Sequence, residues 1–413
     1  MLPVALLFVG VACLSFYCLL IFVFKLTVRD VKDVVIGFSR PLWGVSDKPF
    51  FLYELPNYGY ESPSSSCELY GWRARSGTPG RLFDTFIFST ELDLLEIRLR
   101  ELDGVATAWI LVESDRTHTN QPKELWWTNK GRFEPRFKSY LDRIESVVVS
   151  GTDIDRSERF LRSGPYGLEA LQRQAIMKGL HARGLGDGDV FITGDLDEIP
   201  RRGTAQLLRH CDLFPQDMTL HMPTFIGGFQ FLSYEEEKRH TKVRMYRHDR
   251  IHPQWTSHHK KIGETLLLNA GWHCSWCFAT LNEFRFKMDA GVHFDRSKYS
   301  NVAGTSVVTD EELNARLCRG EPPLERTYAR PESYTFHDVV HRWRSKWNIE
   351  ARRIHRNMTA IDLPIALKKP MKKSDQSSST FSYLRPGGEC QRPSNTDGST
   401  NLILPTQHAL RMK

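Results

Sequence analysis

The chain has 413 residues, 40% hydrophobic and 25% charged, with a formal net charge of +7. This is ordinary globular composition, and the positive excess is modest for the length. It is compatible with acidic partners or a membrane surface and implies no nucleic acid. No internal repeat or sustained heptad pattern is visible, so a solenoid or a long coiled coil is excluded as well.

The chain begins with an uncharged run, Leu2 to Phe24, that would span roughly 34 Å as a helix at 1.5 Å per residue, enough to cross a bilayer. It has no basic n-region and no abrupt stop before Lys25. Residues 1–24 therefore read as an uncleaved transmembrane anchor rather than a cleaved signal. Lys25, Arg29 and Lys32 follow the run, and the positive-inside rule would place the following domain in the cytosol. Large domains translocate regardless of such flanks, and the sequon Asn357-Met358-Thr359 is compatible with a lumenal side. The residues alone leave the orientation open.

Residues 25–80 are rich in turn formers, with Pro56, Asn57, Gly59, Pro63, Gly77, Pro79 and Gly80, and read as a stem. A folded domain is expected over 81–365. Phe83–Phe88 reads as a strand, and Leu92, Leu95, Leu99 and Leu102 follow at helical spacing. Thr107–Glu113 is a second, almost wholly apolar strand, as a sheet covered on both faces requires. A helix with Leu168, Leu171 and Ala175 on one face precedes a glycine turn at 184–188, a third strand at 189–193, and a further helix near Thr204. Strand, helix, strand, helix, strand predicts an α/β fold of Rossmann type, whose ligand sits beyond the strand C-termini. From about Lys368 the lysines, serines, Pro386, Gly387 and Gly388 show little hydrophobic periodicity, and residues 366–413 read as a disordered tail.

Of the eight cysteines, Cys13 and Cys18 lie in the apolar run, leaving Cys67, Cys211, Cys274, Cys277, Cys318 and Cys390. That even number permits disulfides in an oxidising lumen without fixing the pairs. For the close pair Cys274-Ser275-Trp276-Cys277, disulfides with each other or with other cysteines compete with buried thiols. A zinc site would need a second ligand pair that is not visible.

The stretch Asp189-Val190-Phe191-Ile192-Thr193-Gly194-Asp195-Leu196-Asp197-Glu198-Ile199-Pro200 runs an apolar strand into a cluster of carboxylates. Side chains two apart on extended backbone share a side, so Asp195 and Asp197 can present oxygens to one divalent cation. Such hard ligands suit magnesium or manganese, which keep positions open for phosphates. The plain alternative is solvated turn carboxylates.

The run Phe83–Glu113, the stretch Asp189–Pro200, and Gly271-Trp272-His273-Cys274-Ser275-Trp276-Cys277 occur in this order across about half the chain, and together they resemble glycosyltransferase family 17. The resemblance implies a GT-A-like mixed sheet flanked by helices behind the N-terminal transmembrane helix. It further implies a single-pass type II Golgi membrane enzyme with a lumenal catalytic domain. The implied reaction is an inverting, Mn2+- or Mg2+-dependent transfer of N-acetylglucosamine from UDP-GlcNAc to a mannose of an N-linked glycan, in β-1,4 linkage. On that likeness Asp195 and Asp197 match the metal-binding D-x-D, Asp195 also reaching the donor, and His273 is a candidate third metal ligand. Glu113, at the end of the second strand, is placed to contact uracil or ribose. Arg173, on the helix before the metal strand, could approach phosphate. Inversion needs a base for the acceptor hydroxyl, for which Glu283 and Asp289 are the candidates. Glu198 is read as orienting the metal site.

The basic stretch Lys238–Lys261 reads as a solvated face or, functionally, as a rim for diphosphate. Trp126, Trp127, Trp272 and Trp276 read as packing or as sugar platforms. Gly194 stands where the family is expected to carry another acid, which puts the acceptor in doubt. Two other classes stay open: a membrane-anchored glycan-binding or scaffold protein with a degenerate site, and a metal-dependent phosphohydrolase. Ile199 and the late position of the D-x-D argue against the latter.

Overall fold

The structure, a computed structural model, describes residues 53–55, 67–157, 165–215, 217–232, 241–250, 265–291, 309–321, 323, 363–368, 381–385 and 388–394. All of these belong to one compact unit formed by Phe50–Glu325 and Arg356–Lys413. The expected anchor and the sequon lie outside the described residues. Among the described residues no helix is long and apolar enough to cross a membrane.

The first half of the fold follows the sequence pattern closely. Strand β1 (Tyr53–Leu55) and the short β2 (Arg73–Ala74) precede β3 (Leu82–Ile87), α1 (Leu92–Leu102) and β4 (Ala108–Ser114). A one-turn helix α2 (Trp126–Asn129), strand β5 (Ile144–Val149) and the short α3 (Gly151–Asp155) lead to the long α4 (Pro165–Ala182) and to β6 (Val190–Asp195). Strands β3, β4, β5 and β6 are all parallel, in the spatial order β6-β3-β4-β5. Alternation along the strands builds the two helix-covered faces. Leu82, Phe86, Trp109 and Leu111 join the core under α1 with Leu95, Leu99 and Leu102. Phe83, Ile110 and Val112 point the other way and pack with Leu168, Ala175, Ile176 and Leu180 of α4. Each such buried aliphatic or aromatic side chain contributes about 1.5–3 kcal/mol. Helix α4 stops where Gly184 takes a left-handed φ of 68° and its N–H bonds the His181 carbonyl.

The second half is mixed. After β7 (Glu198–Pro200), α5 (Arg202–His210) and β8 (Cys211–Asp212) come β9 (Asp217–Leu220), β10 (Thr224–Ile226), β11 (Lys242–Met245), β12 (Thr265–Leu267) and β13 (Gly271–Ser275). Strand β11 inserts antiparallel between β6 and β9, and β12 and β1 extend the sheet in parallel, giving eight strands in the order β1-β12-β9-β11-β6-β3-β4-β5. Beside it, β10, β13 and β7 form a separate three-stranded sheet. Helices α6 (Leu281–Ala290), α7 (Asp310–Cys318) and α8 (Ile365–Lys368) complete the described α-helices.

Two expectations need correction. The expected stem already holds parts of the fold: β1 pairs with β12, Trp72 is buried, and Cys67 is joined to Cys211. The expected tail does too. Phe381 and Leu384 are fully buried, Arg392 is buried, and Cys390 is bonded to Cys318. Strand β5 has no counterpart in the sequence reading; only its end residues Ile144 and Val149 are buried, and half-buried and exposed residues alternate between them. All six cysteines outside the apolar run are paired, Cys274 with Cys277, so the close pair is a disulfide and not a zinc site.

Candidate active site

The strand order reverses between β3, which is followed outward by β4, and β6, which begins the other wing. Such a switch point is where an α/β sheet binds its ligand, in the crevice outside the strand C-termini. Asp195 is the last residue of β6 and stands across from Ile87 of β3, so the D-x-D block lies at its mouth. A buried arginine fixes the loop from beneath. Arg98 of α1, fully buried, donates to both oxygens of the equally buried Asp84, at 2.8 and 2.7 Å. Its remaining terminal nitrogen donates to the carbonyls of Asp195, Leu196 and Glu198, at 2.6, 3.1 and 2.8 Å. Glu198, as expected, orients the block: its Oε2 accepts from the Asp195 N–H at 2.9 Å and from the Thr241 hydroxyl at 2.7 Å. Gly194 allows this approach, since a Cβ there would lie 2.8 Å from both Glu198 Oε2 and Thr241 Oγ1. A side chain at 194 would force one of these two groups to shift.

Arg173 is not an exposed helical arginine. It is buried on α4, donates to Glu169 Oε1 at 3.2 Å, and pairs with Asp195 Oδ1.

Asp197 faces the small sheet. Strand β7 follows the D-x-D turn directly and pairs antiparallel with β13, with His273 opposite Glu198. This register brings two distant sequence blocks together. His273 Nε2 lies 3.7 Å from Asp197 Oδ2, and the Cys274 N–H donates to the Asp197 carbonyl at 2.8 Å. Nδ1 of His273 lies 3.3 Å from the Thr224 hydroxyl of β10. Lys287, on α6, lies 3.5 Å from Asp197 Oδ2. Burial works against the charge of Asp197, but Lys287 and then His273 outweigh it and hold the carboxyl down at about 2.

Other expected residues are engaged elsewhere. Glu113 is fully buried, and its carboxylate accepts from the N–H groups of Trp127 and Thr128 and from the Thr128 hydroxyl, closing the first turn of α2. It therefore positions that segment. Glu283 completes a capping box with Thr280 at the start of α6, accepting from the N–H groups of Ala279 and Thr280 at 3.1 and 2.9 Å. Burial pushes its carboxyl up to about 7, against the hydrogen bonds from Thr280. Asp289 is two residues beyond Lys287, hence turned about 200° around the helix axis, and its electrostatic partner is Arg285. Burial raises it to about 6 against that arginine. The structure thus pairs Asp195 with Arg173 and Asp197 with His273, and it engages Glu113, Glu283 and Asp289 with other partners.

Trp127 and Trp272 are buried, Trp272 beneath Arg201 at 3.8 Å, and belong to the core. Trp276 is half-buried. In the basic stretch, Lys242 and Arg244 are buried inside β11, Lys242 bonded to Thr219 at 2.6 Å, so these two form neither a solvated face nor a rim.

Sequence reasoning missed the loop after β4. Asp115 Oδ1, His118 Nδ1 and Asn120 Oδ1 are buried there without hydrogen-bond partners among the described residues, at the end of a strand that lines the crevice. The His118 N–H bonds the Ala290 carbonyl at 3.1 Å, tying this loop to the end of α6.

The matching family model, described as Glycosyltransferase family 17, covers residues 7–393. The chain belongs to glycosyltransferase family 17. Its similar relatives include the beta-1,4-mannosyl-glycoprotein 4-beta-N-acetylglucosaminyltransferases of Rattus norvegicus and Homo sapiens, each 26% identical over 230 residues. These alignments cover 48% of this family 17 chain and 41% of each relative, so the chain spans less than half the length of the curated relatives it matches.

The donor chemistry at the D-x-D fits a hard divalent cation: two carboxylates at a strand end with an imidazole nitrogen beside one of them. Among the described residues, no three His, Cys, Asp or Glu side chains are gathered closely enough to hold a metal ion. Asp195 and Asp197 face Arg173 and Lys287 instead.

Proposed function

We propose that the protein transfers N-acetylglucosamine, with inversion, from UDP-GlcNAc to a mannose residue of an N-linked glycan, in β-1,4 linkage, on a GT-A-like fold. The observation that carries the reading is the D-x-D block at the switch point of a sheet in a family 17 chain, with Asp195 ending β6 and His273 beside Asp197. The single antiparallel strand β11, inserted in an otherwise parallel sheet, supports the GT-A assignment. The names of the relatives supply the sugar, the acceptor and the linkage.

Asp195 and Asp197 would hold a Mn2+ or Mg2+ ion, with His273 at its side, and the bound ion would stabilise the charge that develops on the departing diphosphate. The chain's own groups prepare that site. Arg98 and Glu198 fix the backbone of the D-x-D turn from both sides, so the carboxylates need little reorganisation when charge develops. Arg173 pairs with Asp195 and aims its carboxylate. The unpartnered polar atoms of Asp115, His118 and Asn120 offer hydrogen bonds to a nucleoside at the end of β4. The three disulfides fit an oxidising compartment, which supports a lumenal Golgi location, with residues 1–24 as the anchor.

The test is to incubate the purified full chain with a panel of uridine-diphosphate sugars, with manganese or with chelator, and to measure uridine diphosphate release with and without mannose-containing acceptors. Manganese-dependent release from UDP-GlcNAc, stimulated by acceptor, is expected. Folded protein that turns over no donor with any acceptor would favour a glycan-binding role, and release of phosphate from phosphomonoesters would favour the hydrolase.

A further inference from the structure

Helix α6 carries one side chain to the D-x-D block that no sequence motif singles out. The Lys287 ammonium makes a single long hydrogen bond among the described residues, 3.5 Å to Asp197 Oδ2. It lies 5.5 Å from the ring centre of Trp276 and 5.2 Å from that of Phe278. Aromatic faces hold an ammonium without using its N–H donors. Its side chain is 34% exposed, against 12% for Asp197. The structural ion pair of this site looks different: Arg98 and Asp84 are both fully buried, with both carboxylate oxygens bonded.

The rest of the neighbourhood fixes where Lys287 points. The Thr280–Glu283 capping box holds the start of α6, and the His118 N–H holds its end. Trp276 stacks on Phe284 with rings 5° from parallel, in a turn closed by the Cys274–Cys277 disulfide. A cation presented in this way beside a metal-binding carboxylate suits an anion that arrives with the donor.

We propose that Lys287 binds the diphosphate of the nucleotide-sugar donor and neutralises it as it leaves. The inference rests on the transfer reading above. As the acceptor oxygen bonds to the anomeric carbon, the bond from that carbon to the diphosphate oxygen breaks, and its electron pair departs with the diphosphate. Lys287 moves from Asp197 to a diphosphate oxygen and keeps its proton throughout. It acts as a fixed positive charge and not as an acid.

Titration calorimetry of the full chain with uridine diphosphate and with uridine, in the presence of manganese, tests this on wild type, Lys287→Met and Lys287→Arg. Lys287→Met is expected to weaken uridine diphosphate about tenfold or more and to leave uridine unchanged, with Lys287→Arg restoring most of the loss. Equal affinity of Lys287→Met and wild type for uridine diphosphate would overturn the proposal. So would a parallel loss for both ligands, which marks a structural role. A wild type that binds neither ligand would instead remove the transfer reading beneath it. Should Lys287→Met fail to fold, Lys287→Gln, which keeps a polar N–H group without the charge, is judged by the same two affinities.

Discussion

The two aspartates of one short motif are held by two different parts of the molecule. Asp195 belongs to the parallel half, where β3, β4 and β6 are buried between α1 and α4 and the arginines around it are buried as well. Asp197 belongs to the small sheet of β7, β10 and β13 with α6, where a disulfide, a helix cap and one strand pairing do the holding. Leu196 and Asp197 form a turn between β6 and β7, so the alternation of extended backbone that predicted a shared side does not set where the two carboxylates point. Their neighbours decide what each can do, and those neighbours come from opposite ends of the sequence.

The sharpest way to break the comparison is to remove each carboxylate in turn. Asp195→Ala and Asp197→Ala are each expected to lower transfer about a thousandfold, the scale on which preorganised charge at a leaving group acts. Uridine diphosphate release measures it, and unchanged turnover in either variant would remove the metal-site reading. Stability should separate the two halves. Asp195→Ala leaves a buried arginine with only part of its charge compensation, because the Arg173 side chain is 4% exposed. Asp197→Ala releases a lysine that is 34% exposed. Thermal melts should therefore fall further for Asp195→Ala.

The Arg98–Asp84 pair gives the next largest effect. Either Arg98→Met or Asp84→Ala strands a buried charge and should cost about 3–5 kcal/mol of stability, while the double variant should cost clearly less than the sum. Denaturant unfolding of the four proteins closes the cycle. Additive losses would mean that the two groups act independently, against the bidentate geometry.

The parallel half was legible because its signals are local. The spacing of Leu92, Leu95, Leu99 and Leu102 and the apolar run through Trp109 to Val112 state period and burial directly. Asp195 and Asp197 were legible for the same reason, as carboxylates at the end of such a run. What lay beyond the sequence was pairing at long range. Nothing near His273 announces that β13 will pair with β7, and nothing near Lys287 announces Asp197, ninety residues earlier. Arg98 was hidden because a charged residue in an amphipathic helix normally faces water. The second signal was the lone Asp84 in an apolar strand, and it needed the fold to be understood. Glu113 and Glu283 are engaged in capping, since strand ends and helix starts use carboxylates for it as readily as for ligands.

Glu283 lets the small-sheet half be tested by pH. Its carboxyl in the folded protein sits near 7, above the ordinary 4.5, through burial, and Asp93 and Glu91 add to the rise. The folded state therefore binds this proton more tightly than the unfolded chain. The stabilisation is complete below about pH 4.5 and is lost as pH rises through 7. From about 1.36 kcal/mol per unit, the change is about 3 kcal/mol at most. Melting temperatures of wild type should fall between pH 5 and 7.5 relative to Glu283→Gln, and parallel curves would show that the group is already ionised in the fold.

The smallest stability effect should carry a disproportionate loss of activity. The Cys274–Cys277 disulfide closes a loop of sequence separation 3, for which chain entropy gives about 2 kcal/mol, against about 5 for the separation of 144 between Cys67 and Cys211. Cys274→Ser with Cys277→Ser should therefore melt only modestly below wild type. Yet Cys274 gives its N–H to the Asp197 carbonyl, and Trp276, at a left-handed φ of 59°, packs against the helix that carries Lys287. Relaxing this turn frees both sides of Asp197 while leaving Arg98, Arg173 and Asp195 where they are. Transfer assayed well below the melting temperature should drop several-fold more in this variant than in Cys67→Ser with Cys211→Ser assayed at the same distance below its own. Full activity would mean that the strand pairing of β7 with β13 holds Asp197 unaided, and that the disulfide serves only the stability of the small sheet.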